Sequence, residues 1–227
     1  MTAFYYGQTF TLWRSNAPEA WHDFTRHTFV EGLRDGTLPR AAFMHYLVQD
    51  YIFLIHFARA WSLAVMKSET LYEMRICADT VSALVNQEMT LHVALCAQQG
   101  INEAALISAT ESTANLAYTR YVLDAGTQGD LLDLMAALAP CVMGYGEIGL
   151  RLGQDRAVDT PYFAWIETYA APAYQNLCAS VGVMIDEAVA RRIGALATSP
   201  RALRLQQHFD KATELEIGFW QMGLDQS

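Results

Sequence analysis

The chain has 227 residues, of which 52% are hydrophobic and 17% charged, with a net charge of -9. That length and apolar content suit one domain over residues 1–227 with a sizeable core, and the thin charged complement points to a subunit interface over part of the surface. The acidic balance excludes a nucleic-acid partner, whose phosphates need clustered Lys and Arg, and no run of 18 or more apolar residues signals a membrane span.

The opening stretch, MTAFYYGQTFTLWRSN, has no basic run followed by an apolar core, so it reads as mature sequence. The four cysteines, Cys77, Cys96, Cys141 and Cys178, form no CxxC pair and sit in apolar segments, which suits free thiols in the cytoplasm. Periodicity predicts helices over 18–33, 40–66, 70–99, 103–125, 130–152, 160–180, 185–196 and 200–223. Turn-rich stretches such as RDGTLP, QGINE and GQDRAVDTP separate them. Pro39 and Pro161 suit first-turn positions and Asp130 suits an N-cap. No alternating strand pattern, long linker or internal repeat appears, so the fold class is all-α, a helical bundle.

Polar residues on apolar stripes mark the candidate site. In the 40–66 helix, Phe43, Tyr46, Asp50, Phe53, Phe57, Ala60 and Ala64 share one face, with Asp50 in its middle. In the 70–99 helix, Met74, Cys77, Val81, Leu84, Glu88 and Leu95 make the stripe, and His92 follows Glu88 by one turn. Tyr118 and Tyr121 share a face, as do Tyr162, Ile166 and Tyr169. In the 130–152 helix, Leu134, Leu138, Cys141, Tyr145 and Ile148 point one way; in the last helix, Leu205, Phe209, Ala212, Glu216 and Phe219 do. A carboxylate on such a stripe costs several kcal/mol, roughly, unless it is paired or hydrogen-bonded. Asp50 has Arg59 or Arg120 as conceivable partners and Glu88 has His92, whereas Glu216 has no basic residue on its stripe. If these faces converge, they enclose a small-molecule pocket, apolar with a few polar anchors. A lone core cysteine is usually packing, but Pro140 removes a helical hydrogen bond directly before Cys141, and Gly144, Gly146 and Gly149 leave room for a ligand or another backbone.

The runs FVEGLRDGTLP, YLVQDYIFLIHFAR, QEMTLH, YTRYVLDAG, DLLDLMAALAPCVMGYGEIG, YFAWIETYA and ELEIGFWQM occur in order along nearly the whole chain. Together they resemble the cysteine-containing branch of the TenA family, the thiaminase II or aminopyrimidine aminohydrolase group. The resemblance implies a haem-oxygenase-like all-α bundle, usually a homotetramer, with no metal or other cofactor. It implies hydrolysis of a C–N bond in 4-amino-5-aminomethyl-2-methylpyrimidine or in thiamine, giving 4-amino-5-hydroxymethyl-2-methylpyrimidine for thiamine salvage. By the same resemblance, Asp50 holds the aminopyrimidine edge, Cys141 is the nucleophile and Tyr145 bonds its thiol. Glu216 is the acid/base carboxylate, moving protons to the leaving group and from water. Phe53 stacks on the ring, and Tyr118 and Tyr169 line the pocket.

Two rivals carry their own expectations. A haem protein on the same fold would need an axial histidine from His22, His27, His45 or His56, and a di-iron protein two Glu-x-x-His pairs where this chain has a single Glu88-x-x-x-His92. A non-catalytic or regulatory helical oligomer would bind no pyrimidine.

Overall fold

The computed structural model describes residues 5–227, with every side chain in that range except that of Leu91. The helices run in the order α1 (Gln8–Asn16), α2 (Pro18–Thr25), α3 (Thr28–Asp35), α4 (Arg40–Lys67), α5 (Leu71–Ala83), a π-helical turn (Leu84–Glu88), α6 (Met89–Gln98), α7 (Glu103–Ile107), α8 (Thr113–Gln128), α9 (Leu131–Gln154), α10 (Phe163–Ala170), α11 (Pro172–Arg192), a 3-10 turn (Leu196–Thr198) and α12 (Ala202–Asp225). No strand occurs among the described residues, in keeping with the all-α expectation.

Several expected boundaries move, each for a local reason. The 18–33 segment is two helices, because His27 caps α3 by accepting from the Phe29 N–H. The 103–125 segment divides where Ser112 caps α8. The 160–180 segment breaks at Ala171, which precedes a proline and so leaves the α region; Pro172 then opens α11 at its first position. Helix α11 runs on to Arg192 instead of restarting at 185. The apparent interruption, Gly182, serves close packing: a Cβ there would lie 2.0 Å from the Tyr6 carbonyl oxygen. Helix α1 was not foreseen. Pro39 occupies the N-cap of α4 and Pro161 the turn before α10, one step outside the expected first turns. Asp130 does cap α9, in a reciprocal box with Asp133.

Helix α9 is the axis of the molecule. It packs against α2, α4, α8, α10, α11 and α12, so Leu131 to Gly149 are buried on every side. It is long and apolar enough to cross a membrane, yet 94% of that stretch is covered by its neighbours. Pro140 leaves it helical from Leu131 to Gln154. The glycines seat neighbouring elements: a Cβ at Gly144 would meet the Phe24 ring at 2.2 Å, and one at Gly149 the Tyr169 backbone at 2.5 Å.

The start of α9 is tied to the start of α12. Arg201 pairs with Asp130 and, at 2.6 Å, with Asp133. Arg204 reaches the other Asp133 oxygen at 2.9 Å, and His208 lies 3.4 Å from it. Burial opposes ionisation of Asp133, but His208, the Asp130 N–H and the two arginines hold its carboxyl well below the usual range.

Candidate active site

Helix α4 buries one side of its aromatic stripe and carries Asp50 inward, 4% exposed. No arginine reaches it: Arg59 bonds His56, and Arg120 bonds Glu111 and His56. Its partners are His92 and Tyr46 instead. His92 faces Asp50 Oδ2 with Nδ1 at 3.4 Å and bonds the Leu47 carbonyl through Nε2 at 2.7 Å. Nε2 must donate there, so a neutral ring turns its Nδ1 lone pair toward Asp50. Burial raises Asp50 to about 7, partly offset by the Tyr46 hydroxyl. A protonated Asp50 therefore has an acceptor ready on His92. Tyr46 in turn accepts from Trp165 Nε1 at 3.2 Å and from Tyr145.

The second constellation joins α8, α9 and α12. Cys141, 7% exposed, lies near the carboxyl of Glu216, 1% exposed, and each perturbs the other's ionisation. Tyr118 donates to Glu216 Oε1 at 2.7 Å. Burial, then the charges of Glu216, Asp50 and Glu88, push the Cys141 thiol well above its ordinary value, so it rests as the thiol. Burial likewise raises Glu216 to about 8, with the Tyr118 bond pulling the other way. A carboxylate beside a thiol can take its proton once the pair is stabilised. The bond expected between Tyr145 and the thiol is absent among the described residues; Glu216, from α12, is the carboxyl that acts most strongly on the thiol.

The two constellations meet at one partly open pocket, lined by Asp50, Phe53, Glu88, Cys141, Tyr145 and Tyr169 together with mostly apolar side chains. An apolar wall with a few polar anchors is the composition of a small-molecule site. Phe53 stacks on Tyr118 with ring centroids 5.3 Å apart, and Tyr145 meets Tyr169 edge-on at 5.0 Å. Glu216 and Tyr118 stand behind Cys141 rather than on the pocket wall. Beyond it lies a wider vestibule of about 670 Å³, sharing Asp50, Glu88, Tyr169 and Tyr174 with the inner pocket.

Other expected members point elsewhere. The Tyr121 hydroxyl bonds His208, and that of Tyr162 bonds the Leu38 carbonyl. His22, His27, His45 and His56 all lie outside the Cys141 pocket, and among the described residues no group of three or more His, Cys, Asp or Glu is placed to hold a metal ion. The structure adds three groups the stripes did not mark for the site. His92 buttresses Asp50, and Trp61 lines the inner pocket with a buried Nε1 lacking a partner. Tyr174 is the third, its hydroxyl on the Val142 carbonyl at 3.2 Å.

Glu88 closes the π-helical turn between α5 and α6. Burial raises it to about 7, and the neighbouring Asp50 charge adds to the effect. Asp50, Glu88, Glu216 and the thiol therefore compete to stay neutral in one low-dielectric space. A positively charged guest would favour ionisation of all four.

The sequence model described as the TENA/THI-4/PQQC family matches residues 14–226. The chain is 34% identical over 212 residues to the aminopyrimidine aminohydrolase of Halalkalibacterium halodurans, covering 92% of each. It superposes with a TM-score of 0.95 and 59% identity on a crystal structure from a Silicibacter species described as a TenA family transcription regulator, covering 96% of this chain and 97% of that one. A Shewanella denitrificans domain of heme oxygenase-like fold matches in fold alone, at 13% identity and a TM-score of 0.72, over 95% and 92% of the two chains.

Proposed function

The chain belongs to the TENA/THI-4/PQQC family, and from that premise we propose that it is a hydrolase of thiamine salvage, cleaving the C–N bond on the 5-methylene of a 4-amino-2-methylpyrimidine. The observation that carries this reading is the Cys141 thiol opening on the pocket that also holds Asp50, with the Glu216 carboxyl close enough to push its ionisation upward. The substrate is 4-amino-5-aminomethyl-2-methylpyrimidine or thiamine, and the product is 4-amino-5-hydroxymethyl-2-methylpyrimidine.

Asp50, near neutrality and backed by His92, shares a proton with a ring nitrogen and accepts from the exocyclic amine, leaving the ring electron-poor. Phe53, Tyr145 and Tyr169 supply the aromatic walls. Binding of the cationic guest ionises Glu216, whose resting proton passes to solvent, and Glu216 then takes the thiol proton as the sulfur adds to the ring carbon beside the methylene-bearing one. The electron pair returns to expel the amine, bound as its ammonium, as ammonia; from thiamine it expels the neutral thiazole. Water adds to the exposed methylene and yields its proton to the ammonia, or to solvent when thiazole has left. The thiolate then departs from the ring and recovers its own proton from Glu216. The oppositely charged guest is what makes an ionised Glu216 and thiolate affordable here.

The chain works as a single domain and as a cytoplasmic homotetramer: Leu71, Tyr72, Met74 and Val183 leave apolar surface for neighbouring subunits. The net charge of -9 disfavours the DNA contact that a regulatory role would need. The test is a comparison of kcat/KM on the aminomethylpyrimidine and on thiamine, with Cys141→Ser as control. Cys141→Ser should bind the pyrimidine within a few-fold of wild type and lose turnover by about a thousandfold or more. A serine variant with undiminished rate excludes the covalent route.

A further inference from the structure

Resting on that reading, we propose that Glu88 is a specificity-determining residue: its carboxylate, set by the π-helical turn on the wall shared by the inner pocket and the vestibule, receives the positively charged leaving group. The site thereby selects cationic over phosphorylated leaving groups.

Four observations support this. First, Glu88 lines both cavities, as does Asp50. With Asp50 on the pyrimidine edge, Glu88 is the remaining carboxylate on that shared wall. Second, its one charged influence is Asp50, a like charge, and no hydrogen bond or ion pair engages it among the described residues. A half-buried carboxylate without a partner costs stability; a cationic guest supplies the partner. Third, Leu84–Glu88 is π-helical within an otherwise α-helical run. Such turns carry one extra residue, are costly to keep, and gather at functional sites. Fourth, the vestibule wall carries Asp50, Asp79 and Glu88 but no Lys or Arg, and burial keeps His92 neutral. An ammonium or a thiazolium meets attraction along that path. A phosphate meets carboxylates and no counter-charge.

The experiment compares wild type, Glu88→Gln and Glu88→Asp on three substrates: the aminomethylpyrimidine, thiamine and thiamine monophosphate. It adds the inhibition constant of the neutral hydroxymethylpyrimidine product. Glu88→Gln should lower kcat/KM on the amine about tenfold, chiefly through KM, because a charge-assisted bond becomes a neutral one. The inhibition constant of the neutral product should move less than about twofold, and Glu88→Asp should recover most of the loss. The preference for thiamine over its monophosphate should narrow in Glu88→Gln. Equal losses for amine and neutral alcohol, or no change in either, overturn the role of Glu88 while leaving the hydrolase reading intact. A wild-type protein that turns over none of the substrates overturns the hydrolase reading, and this proposal with it.

Discussion

Glu216→Gln should make the ligand-free protein more stable as the pH rises while abolishing hydrolysis. Burial lifts Glu216 from an ordinary value of 4.5 to about 8. Between those values the folded protein holds a proton that the unfolded chain has released, so stability falls with rising pH by about 1.4 kcal/mol per unit. By pH 7 the native carboxyl has cost about 3 kcal/mol, levelling off near 5 kcal/mol above pH 8. Gln keeps the acceptor for the Tyr118 hydroxyl, 2.7 Å away in the native protein. Its amide protons face sulfur, a weak acceptor, at a pH-independent penalty of about 1–2 kcal/mol. For a chain of this length each kcal/mol moves Tm by roughly 2–4 °C. The Tm of the variant minus that of wild type should therefore climb by about 6–12 °C between pH 4.5 and 7, measured calorimetrically without ligand. Asp133 titrates in both proteins and cancels in the difference, while the Asp50 charge, which raises Glu216 further, is part of the effect read. A difference that stays flat with pH would show that Glu216 is ionised in the resting protein and would sink the electrostatic reasoning.

Tyr118→Phe removes the donor that favours the Glu216 carboxylate; the acidic limb of the kcat/KM–pH profile should move upward by about one unit, and a downward move would contradict the base role of Glu216. Asp50→Asn keeps the shape but cannot share a proton with the ring, and kcat/KM should fall about a hundredfold, while the Tm of the variant minus that of wild type should climb from about pH 4 to 7, because burial raises the native carboxyl to about 7. Gly149→Ala drives a methyl to 2.5 Å from the Tyr169 backbone; it should cost about 1–3 kcal/mol and lower kcat by displacing α10, read by thermal unfolding and initial rates.

The stripes of α4 and α12 were legible because each is a long, regular helix with one side toward the core. Phe43, Tyr46, Asp50 and Phe53 are buried as their spacing demands, and Glu216 is buried while Glu214 is exposed. The stripe over 70–99 slips midway: Cys77 and Leu84 are buried as their spacing demands, although Met74 at its start is 38% exposed, whereas past Glu88 the buried positions are His92 and Cys96 and Leu95 is only half-buried. The π-helical turn is the cause, since an extra residue rotates all that follows, and a uniform step of 3.6 residues cannot register it. That is also why the reading paired Glu88 with His92 when the ring serves Asp50 on another helix. For α9 the stripe of Leu134, Leu138, Cys141, Tyr145 and Ile148 could not discriminate, because all sides of the helix are covered; the nucleophile role of Cys141 rested on the resemblance. The nearness of Glu216 to the thiol depends on how α12 approaches α9, a distance that neither helix encodes alone.

Arg201, Arg204 and His208 pin the first turns of α9 and α12 together through Asp130 and Asp133. From that junction Cys141 lies ten residues along one rod, ~15 Å, and Glu216 lies fifteen residues beyond Arg201 along the other, ~22 Å. The junction sets the longitudinal phase of the rods, and with it the meeting of sulfur and carboxyl. The 193–200 connector bears none of that alignment. Lengthening it near Gly194, where a Cβ would meet nothing within 4 Å, should leave turnover intact, whereas severing the arginine junction should let the reacting pair drift out of step without touching either member.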